Sequence, residues 1–361
     1  MKRFIKTAVV SGCFWLAGAC SATPVIFDTD VAIDDWSALL LLANHPDVEL
    51  LAVTANGVGE THCQPALRNI PALLDLTKAA EVSFGCGDDY PMDGFFVFPD
   101  PWREQADTLS GVAVPASDRI ASEAHAVEII HQSLAKSSQP VTLIATGSLT
   151  NIAQWLAKYP DDKSKVSRLV IMGGAFKVHG NIVVPGFTDG HPNNQAEWNI
   201  YVDPLAASQV FASGLAIEVV GLDVTNQVQV TQAFAKEFKQ KASTPAADFW
   251  DMVLDDNDWF IDSGEYYFWD VLAALVVIDP AFCEGEMQPV WVEYQVADQP
   301  SAWDAKHIPA LRADGSKRNH LDPAKSGITH LGGDNPPVKI CTSTLPERAF
   351  SLFTQTLNHR F

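Results

Sequence analysis

Val25-Ile26-Phe27-Asp28-Thr29-Asp30-Val31-Ala32-Ile33-Asp34-Asp35 carries an apolar run straight into four carboxylates within eight residues. Consecutive apolar residues before a polar turn read as a strand buried on both faces, and residues 36–44 beyond it read as a helix. Such a turn puts its carboxylates at the carboxyl end of a strand, where open α/β sheets bind ligands. Four unpaired carboxylates so close would repel one another strongly. A hard divalent cation, which prefers carboxylate and carbonyl oxygens, is the simplest partner. Capping of the following helix by Asp34 or Asp35 explains one or two of the four and leaves the rest without a reason.

The strand and helix rhythm continues outward from this turn. Residues 50–54 read as a strand, and residues 65–76 as a helix with Pro65 in its first turn. Residues 141–145, 169–172 and 217–222 read as further strands, with helices over 149–158 and 204–212 between them. Apolar strands without alternation, separated by helices, indicate a parallel sheet covered on both faces. The expected fold is therefore α/β: a doubly wound, mostly parallel central sheet flanked by helices. Two segments, 85–117 and 174–197, are rich in Gly, Pro, Asp and aromatic residues and read as long loops of the functional kind. No repeat or linker divides the chain, so residues 23–361 read as a single domain.

The chain has 361 residues, 47% of them hydrophobic, which is ample for a large core. Its 24 Lys+Arg against 44 Asp+Glu give a net charge of −20, which argues against a nucleic-acid partner. At the N-terminus, Lys2, Arg3 and Lys6 precede an uncharged apolar stretch that ends in Ala17-Gly18-Ala19-Cys20-Ser21-Ala22. Residues 1–22 thus read as a signal peptide directing bacterial export. The apolar stretch falls short of the roughly 20 residues that a membrane span needs. Two processing readings stand side by side: a lipobox that leaves Cys20 lipidated and the protein membrane-anchored, or ordinary cleavage after Ala19 or Ala22 that releases it to the periplasm. Downstream, Cys63, Cys86, Cys283 and Cys341 permit two disulfides in an oxidising compartment, with the pairing open. No cysteine spacing fits a zinc site.

Asp28-Thr29-Asp30-x-x-x-Asp34-Asp35 resembles the N-terminal signature of the calcium-dependent nucleoside hydrolases. Further pieces follow in the family's order: Ala145-Thr146-Gly147-Ser148-Leu149-Thr150-Asn151, then Met172-Gly173-Gly174-Ala175 and Gly180-Asn181. Ala196-Glu197-Trp198-Asn199-Ile200, Asp203-Pro204, Leu222-Asp223-Val224-Thr225 and Trp269-Asp270 complete the series. The likeness spans about residues 25–278. It implies hydrolysis of ribonucleosides to ribose and free base, a Ca²⁺ cofactor, and homo-oligomers of the kind common in that family.

Carried onto this chain, the resemblance implies that Asp30, Asp35, the carbonyl of Thr146 and Asp270 hold Ca²⁺. Asp34, Asn181, Glu197 and Asn199 would grip the ribose hydroxyls. Asp30 would take a proton, as general base, from a water acidified by the cation. Neighbouring carboxylates would stabilise the oxocarbenium-like ribosyl cation. Asp203 also fits a helix cap before Pro204, and Gly173-Gly174 a tight turn.

Three departures from the family pattern stand out. Val31-Ala32 replaces a Pro-Gly, so a positive φ, if the turn needs one, falls on Ala32. After the second strand, either Asn56 or Glu60 occupies the place of a site Asn in Ala55-Asn56-Gly57-Val58-Gly59-Glu60-Thr61-His62-Cys63. This stretch and Phe98-Pro99-Asp100-Pro101-Trp102-Arg103-Glu104 resemble a less-studied branch of the family. Finally, Trp269 stands where many members carry a His that protonates the leaving base. An indole cannot donate that proton, but its face can stack on a nucleobase. His62, His179, His191 and Glu265 remain as candidate acids. Two other readings compete: a nucleoside-binding lipoprotein with decayed catalysis, and a haloacid-dehalogenase-type phosphatase with Asp28 as nucleophile and Mg²⁺.

Overall fold

The computed structural model describes residues 22–79 and 81–360; the expected signal peptide, save Ala22, and Cys20 with it lie outside the described residues. The apolar runs become strands β1 (Thr23–Thr29), β2 (Val48–Ala55), β3 (Ser83–Cys86), β4 (Val141–Ala145), β5 (Val166–Met172) and β6 (Ile217–Val220). Five more follow: β7 (Glu284–Val292), β8 (Val296–Ala297), β9 (His320–Leu321), β10 (Thr329–Leu331) and β11 (Pro337–Ser343). Nine of them make one sheet in the order β3-β2-β1-β4-β5-β6-β11-β7-β10, while β8 and β9 form a separate pair. Strands β1 to β6 and β11 run parallel, and β7 pairs antiparallel with both β11 and β10.

The helices are α1 (Ile33–Asn44), α2 (Cys63–Asp75), α3 (Asp100–Asp107), α4 (Ala126–Lys136), α5 (Thr150–Lys158), α6 (Trp198–Tyr201) and α7 (Pro204–Phe211). The second half adds α8 (Leu222–Thr225), α9 (Gln232–Lys241), α10 (Pro245–Asp256), α11 (Asp258–Asp262), α12 (Trp269–Ile278) and α13 (Pro346–Leu357). Val25 and Phe27 point into one core with Trp36 of α1 and Leu272 of α12, whereas Ile26 points into another with Ile130 of α4 and Ile152 of α5. Both faces of β1 are therefore covered, which is why its apolar residues run without alternation.

From β1 the chain steps outward to β2 and β3, then crosses back to lay β4 along the other side of β1, pairing Asp28 with Ala145. The strand order reverses between β1 and β4. Open α/β sheets bind ligands at such a reversal, and the loops that follow β1 and β4 meet there, Thr146 Oγ1 donating to Asp35. The 85–117 loop contains α3 and one further helical turn, while residues 174–197 carry neither helix nor strand.

The four cysteines pair as Cys63–Cys86 and Cys283–Cys341. The first ties the start of α2 to the end of β3; the second joins the start of β7 to β11 across a separation of 58 residues. Replacing both Cys283 and Cys341 by Ala should lower unfolding free energy by about 2–4 kcal/mol in denaturant titration. An unchanged midpoint would show that the β7–β11 ladder holds this edge without the bond.

Candidate active site

The elbow after β1 is bent in an unusual way. Val31 sits at φ +59, a left-handed conformation that a β-branched residue rarely adopts, while Ala32 has an ordinary φ of −71. The positive φ expected at Ala32 thus falls one residue earlier. Its neighbours hold it there: the Val31 N–H donates to Thr29 Oγ1 at 2.9 Å, and its carbonyl accepts from Trp36 Nε1 at 2.6 Å and Thr61 Oγ1 at 2.9 Å. The strain, of order 1–3 kcal/mol, turns the chain so that Asp30, Asp34 and Asp35 converge.

Asp35 is the best-anchored of the three. Its carboxylate accepts from Thr29 Oγ1, from Thr146 Oγ1 at 2.6 Å and from the Ala32 N–H at 3.0 Å, the last satisfying a free backbone donor at the start of α1. Asp30 lies within hydrogen-bond reach of Asp35, and its Oδ2 accepts the Glu60 N–H at 3.1 Å. Glycines make room for it: a Cβ at either Gly59 or Gly147 would collide with the Asp30 side chain. Asp270, second residue of α12, brings a fourth carboxylate. Both its oxygens are buried and accept no hydrogen bond from a described residue. Asp34, Asp35 and Asp270 each present an oxygen within 4.8 Å of the others.

Burial drives every one of these acids toward the neutral form, and mutual repulsion adds to it. Asp34 is pushed up to about 7 and Asp35 to about 6, while Asp30 and Asp270 rise well above the usual carboxylate range. No Lys or Arg forms an ion pair with Asp30, Asp34, Asp35 or Asp270 among the described residues. A cluster of buried acids with two orphaned oxygens and no ion-paired cation among the described residues fits a divalent metal ion. Asp34, Asp35 and Asp270 are the acids whose oxygens the fold brings together, and the ligand set implied by the family resemblance would add Asp30 and the Thr146 carbonyl. That carbonyl already accepts Asn199 Nδ2 at 3.0 Å and keeps a second lone pair.

The chain matches the family model described as inosine-uridine preferring nucleoside hydrolase over residues 25–344. It is 34% identical over 244 residues to the pyrimidine-specific ribonucleoside hydrolase RihA of Salmonella agona, covering 66% of this chain and 74% of that protein. The chain belongs to the inosine-uridine preferring nucleoside hydrolase family. It is accordingly a nucleoside N-glycosyl hydrolase. The solved inosine-uridine preferring nucleoside hydrolase of Bacillus anthracis shares the fold at a TM-score of 0.70 and 23% identity, over 93% of this chain and 99% of that one. A purine-preferring ribonucleoside hydrolase from Gardnerella vaginalis matches at a TM-score of 0.70 and 24% identity, over 94% and 99%.

Within this nucleoside hydrolase fold the remaining expected residues fall into distinct positions. Asn199 spans Thr146 and the Met172 carbonyl, its Nδ2 reaching the latter at 3.2 Å, and so links the ends of β4 and β5. Glu197 caps α6 and accepts from the N–H groups of Gly174, Asn199 and Ile200; burial pushes it up to about 7. It is a buried, tightly held carboxylate and not a solvated one. Asn181 accepts the Trp198 N–H at 3.1 Å, which joins it to the same block. Trp269 is half-buried beside Asp270, with Phe260, Tyr266 and Tyr267 rings about 6 Å away. Asp203 does cap α7, accepting the Ala206 N–H at 3.1 Å.

The two residues left open after β2 take different positions. Asn56 is fully buried, accepting from Ser148 Oγ at 3.0 Å, and acts as a strut between loops. Glu60 faces the acids: burial and then the charges of Asp30 and Asp34 raise it well above the usual range. The candidate proton donors do not join the cluster. His62 is exposed and paired with Asp107, and His191 is buried against Tyr201 and lowered by burial to about 4. His179 and Glu265 are exposed. Asp28 is sealed in the sheet, accepting from Thr54 at 2.6 Å and Asn151 at 2.8 Å, which leaves no access for a phosphatase nucleophile. Sequence reading gives no role to Thr29, the hydroxyl that anchors both Val31 and Asp35.

Raised carboxyls make the chelated protein pH-sensitive. Each binds a proton in the folded chain at a pH where the unfolded chain has released it, so stability falls as pH rises between about 4 and about 7. Thermal melts in a chelator should show that decline, and saturating Ca²⁺ should flatten it. A melting temperature that rises over this range in the chelator would contradict the reading of the cluster.

Proposed function

We propose that this chain hydrolyses the N-glycosidic bond of ribonucleosides, releasing ribose and free base, with Ca²⁺ as its resident cation. The Asp270 carboxylate carries this reading. A buried acid whose oxygens accept no hydrogen bond among the described residues, facing Asp34 and Asp35, supports a bound cation, and oxygen-only donors favour calcium over softer metals. When bound, Ca²⁺ supplies positive charge that balances the acids and acidifies nearby water.

The chain's own residues do the rest. Asp30, held by the Glu60 N–H, accepts a proton from the attacking water as its oxygen bonds to the anomeric carbon. The bond from that carbon to the base nitrogen breaks, and its electron pair leaves with the base. Asp34 and the block of Asn181, Glu197 and Asn199 hold the ribose hydroxyls and stabilise the ribosyl cation. The half-buried Trp269 offers its ring face to the base. Relatives named for purines and for pyrimidines both resemble this chain, so the order of bases is a matter for assay.

We also propose that the protein is exported, with residues 1–22 removed and Cys20 the point of lipidation if the lipobox is used. Two disulfides support an oxidising compartment.

Purified chain from Thr23 onward should release ribose from ribonucleosides in Ca²⁺ and stop in a chelator, with 2′-deoxyinosine cleaved far more slowly than inosine. Asp30→Asn should cut kcat by about 10²- to 10⁴-fold with little change in nucleoside affinity. Nucleoside binding without any ribose release would instead make this a capture protein.

A further inference from the structure

Arg103 is a buried positive charge near the acids to which the reaction gives no task. It lies on α3, within the long 85–117 loop, and only 3% of it is exposed. Its guanidinium makes no ion pair among the described residues. Instead it donates to the Gly57 carbonyl at 2.7 Å and reaches the Glu60 carbonyl at 3.4 Å. Desolvating an arginine is unfavourable, and two backbone carbonyls compensate only in part. Nearby acids offset part of the rest electrostatically, Asp107, Asp89 and Asp100 first and Asp30 after them, and burial still holds the guanidinium below its usual range.

What those two carbonyls belong to is the point. Gly57 and Glu60 bracket the short loop that packs on Asp30. Gly59 lies so close that a Cβ there would overlap the Asp30 carboxyl, and the Glu60 N–H is the hydrogen bond that aims Asp30 Oδ2. The Thr61 N–H continues the clamp to the Asp30 carbonyl at 3.0 Å. The same loop is pinned at its far end by the Cys63–Cys86 disulfide and by Asp107 of α3, which accepts the His62 N–H at 2.9 Å.

We propose that Arg103 is a positioning residue for Asp30. It holds the 57–60 backbone so that the Glu60 N–H fixes the carboxylate, and it touches neither nucleoside nor cation. This rests on the hydrolase reading above, in which Asp30 is the general base. A misplacement of an ångström at a reacting group costs on the order of 10²-fold in rate, whereas in that reading ribose binding runs through Asp34 on α1, Asn199 on α6 and Asn181 in the 174–197 loop.

The test compares the chain from Thr23 onward with Arg103→Met, Arg103→Lys and Asn69→Ala. Asn69 donates to the Ala106 and Asp107 carbonyls and so anchors α3 without touching residues 57–60. Three quantities are read for each: melting temperature, kcat and KM for ribose release, and Ca²⁺ affinity by calorimetry. Arg103→Met should lose kcat by about tenfold or more while KM stays within about threefold, because only the reacting group has moved. Arg103→Lys, which cannot hold both carbonyls, should fall between it and wild type. Asn69→Ala should change the melting temperature and leave kcat near wild type.

Wild-type kcat in both Arg103 variants overturns the proposal, as does a loss that Asn69→Ala reproduces. If Arg103→Met fails to fold, the Lys variant decides by the same split of kcat from KM. If the wild-type chain releases no ribose at all, the hydrolase reading fails separately. Ca²⁺ affinity then decides for Arg103: weakening in its variants but not in Asn69→Ala supports it, and no change overturns it.

Discussion

Repulsion among buried carboxylates where β1 and β4 end is the constraint around which the rest of the structure is arranged. Two such charges 4.8 Å apart repel by about 3 kcal/mol at an effective dielectric near 20, less where water screens Asp34. Folding brings at least four of them together at one strand end. No side chain of opposite sign pairs with them among the described residues, and that is how a cation site differs from an ion-pair network. The cluster is tolerated because the large core on both faces of the sheet can absorb a local penalty, and because a bound ion would remove it.

The neighbouring chain is shaped to the same end. Val31 accepts a left-handed backbone that glycine would adopt freely, and Trp36 and Thr61 hold it there through its carbonyl. Gly59 and Gly147 remove the side chains that would otherwise crowd Asp30. Asn199 and Glu197 then bind the loops after β4 and β5 into one block through backbone groups. Their polar atoms are largely occupied by the protein itself. This block is thus held by the protein's own hydrogen bonds before any ligand arrives.

Much of this was legible in the residues alone. The step from Phe27 into Asp28 announces a buried strand ending at an acidic turn, and the parallel strands through β6 follow from apolar runs too continuous for a one-sided sheet. The C-terminal arm was not legible for the converse reason: Gly285 and Pro289 interrupt β7, and much of the strand is exposed. Which backbone residue takes the positive φ depends on hydrogen bonds from Trp36 and Thr61, and no local propensity reports them. Cysteine pairing is a matter of distance in the fold. Arg103 looks in sequence like one more charge in an aromatic loop, and only its burial against two carbonyls distinguishes it.

The claim that a divalent cation balances these acids can be examined directly by anomalous diffraction. Crystals of the chain from Thr23 onward would be grown with strontium in place of calcium. A single strong peak enclosed by Asp30, Asp35, the Thr146 carbonyl and Asp270 is the expected result. No peak there at saturating strontium, or a peak held only by surface acids elsewhere, would contradict it.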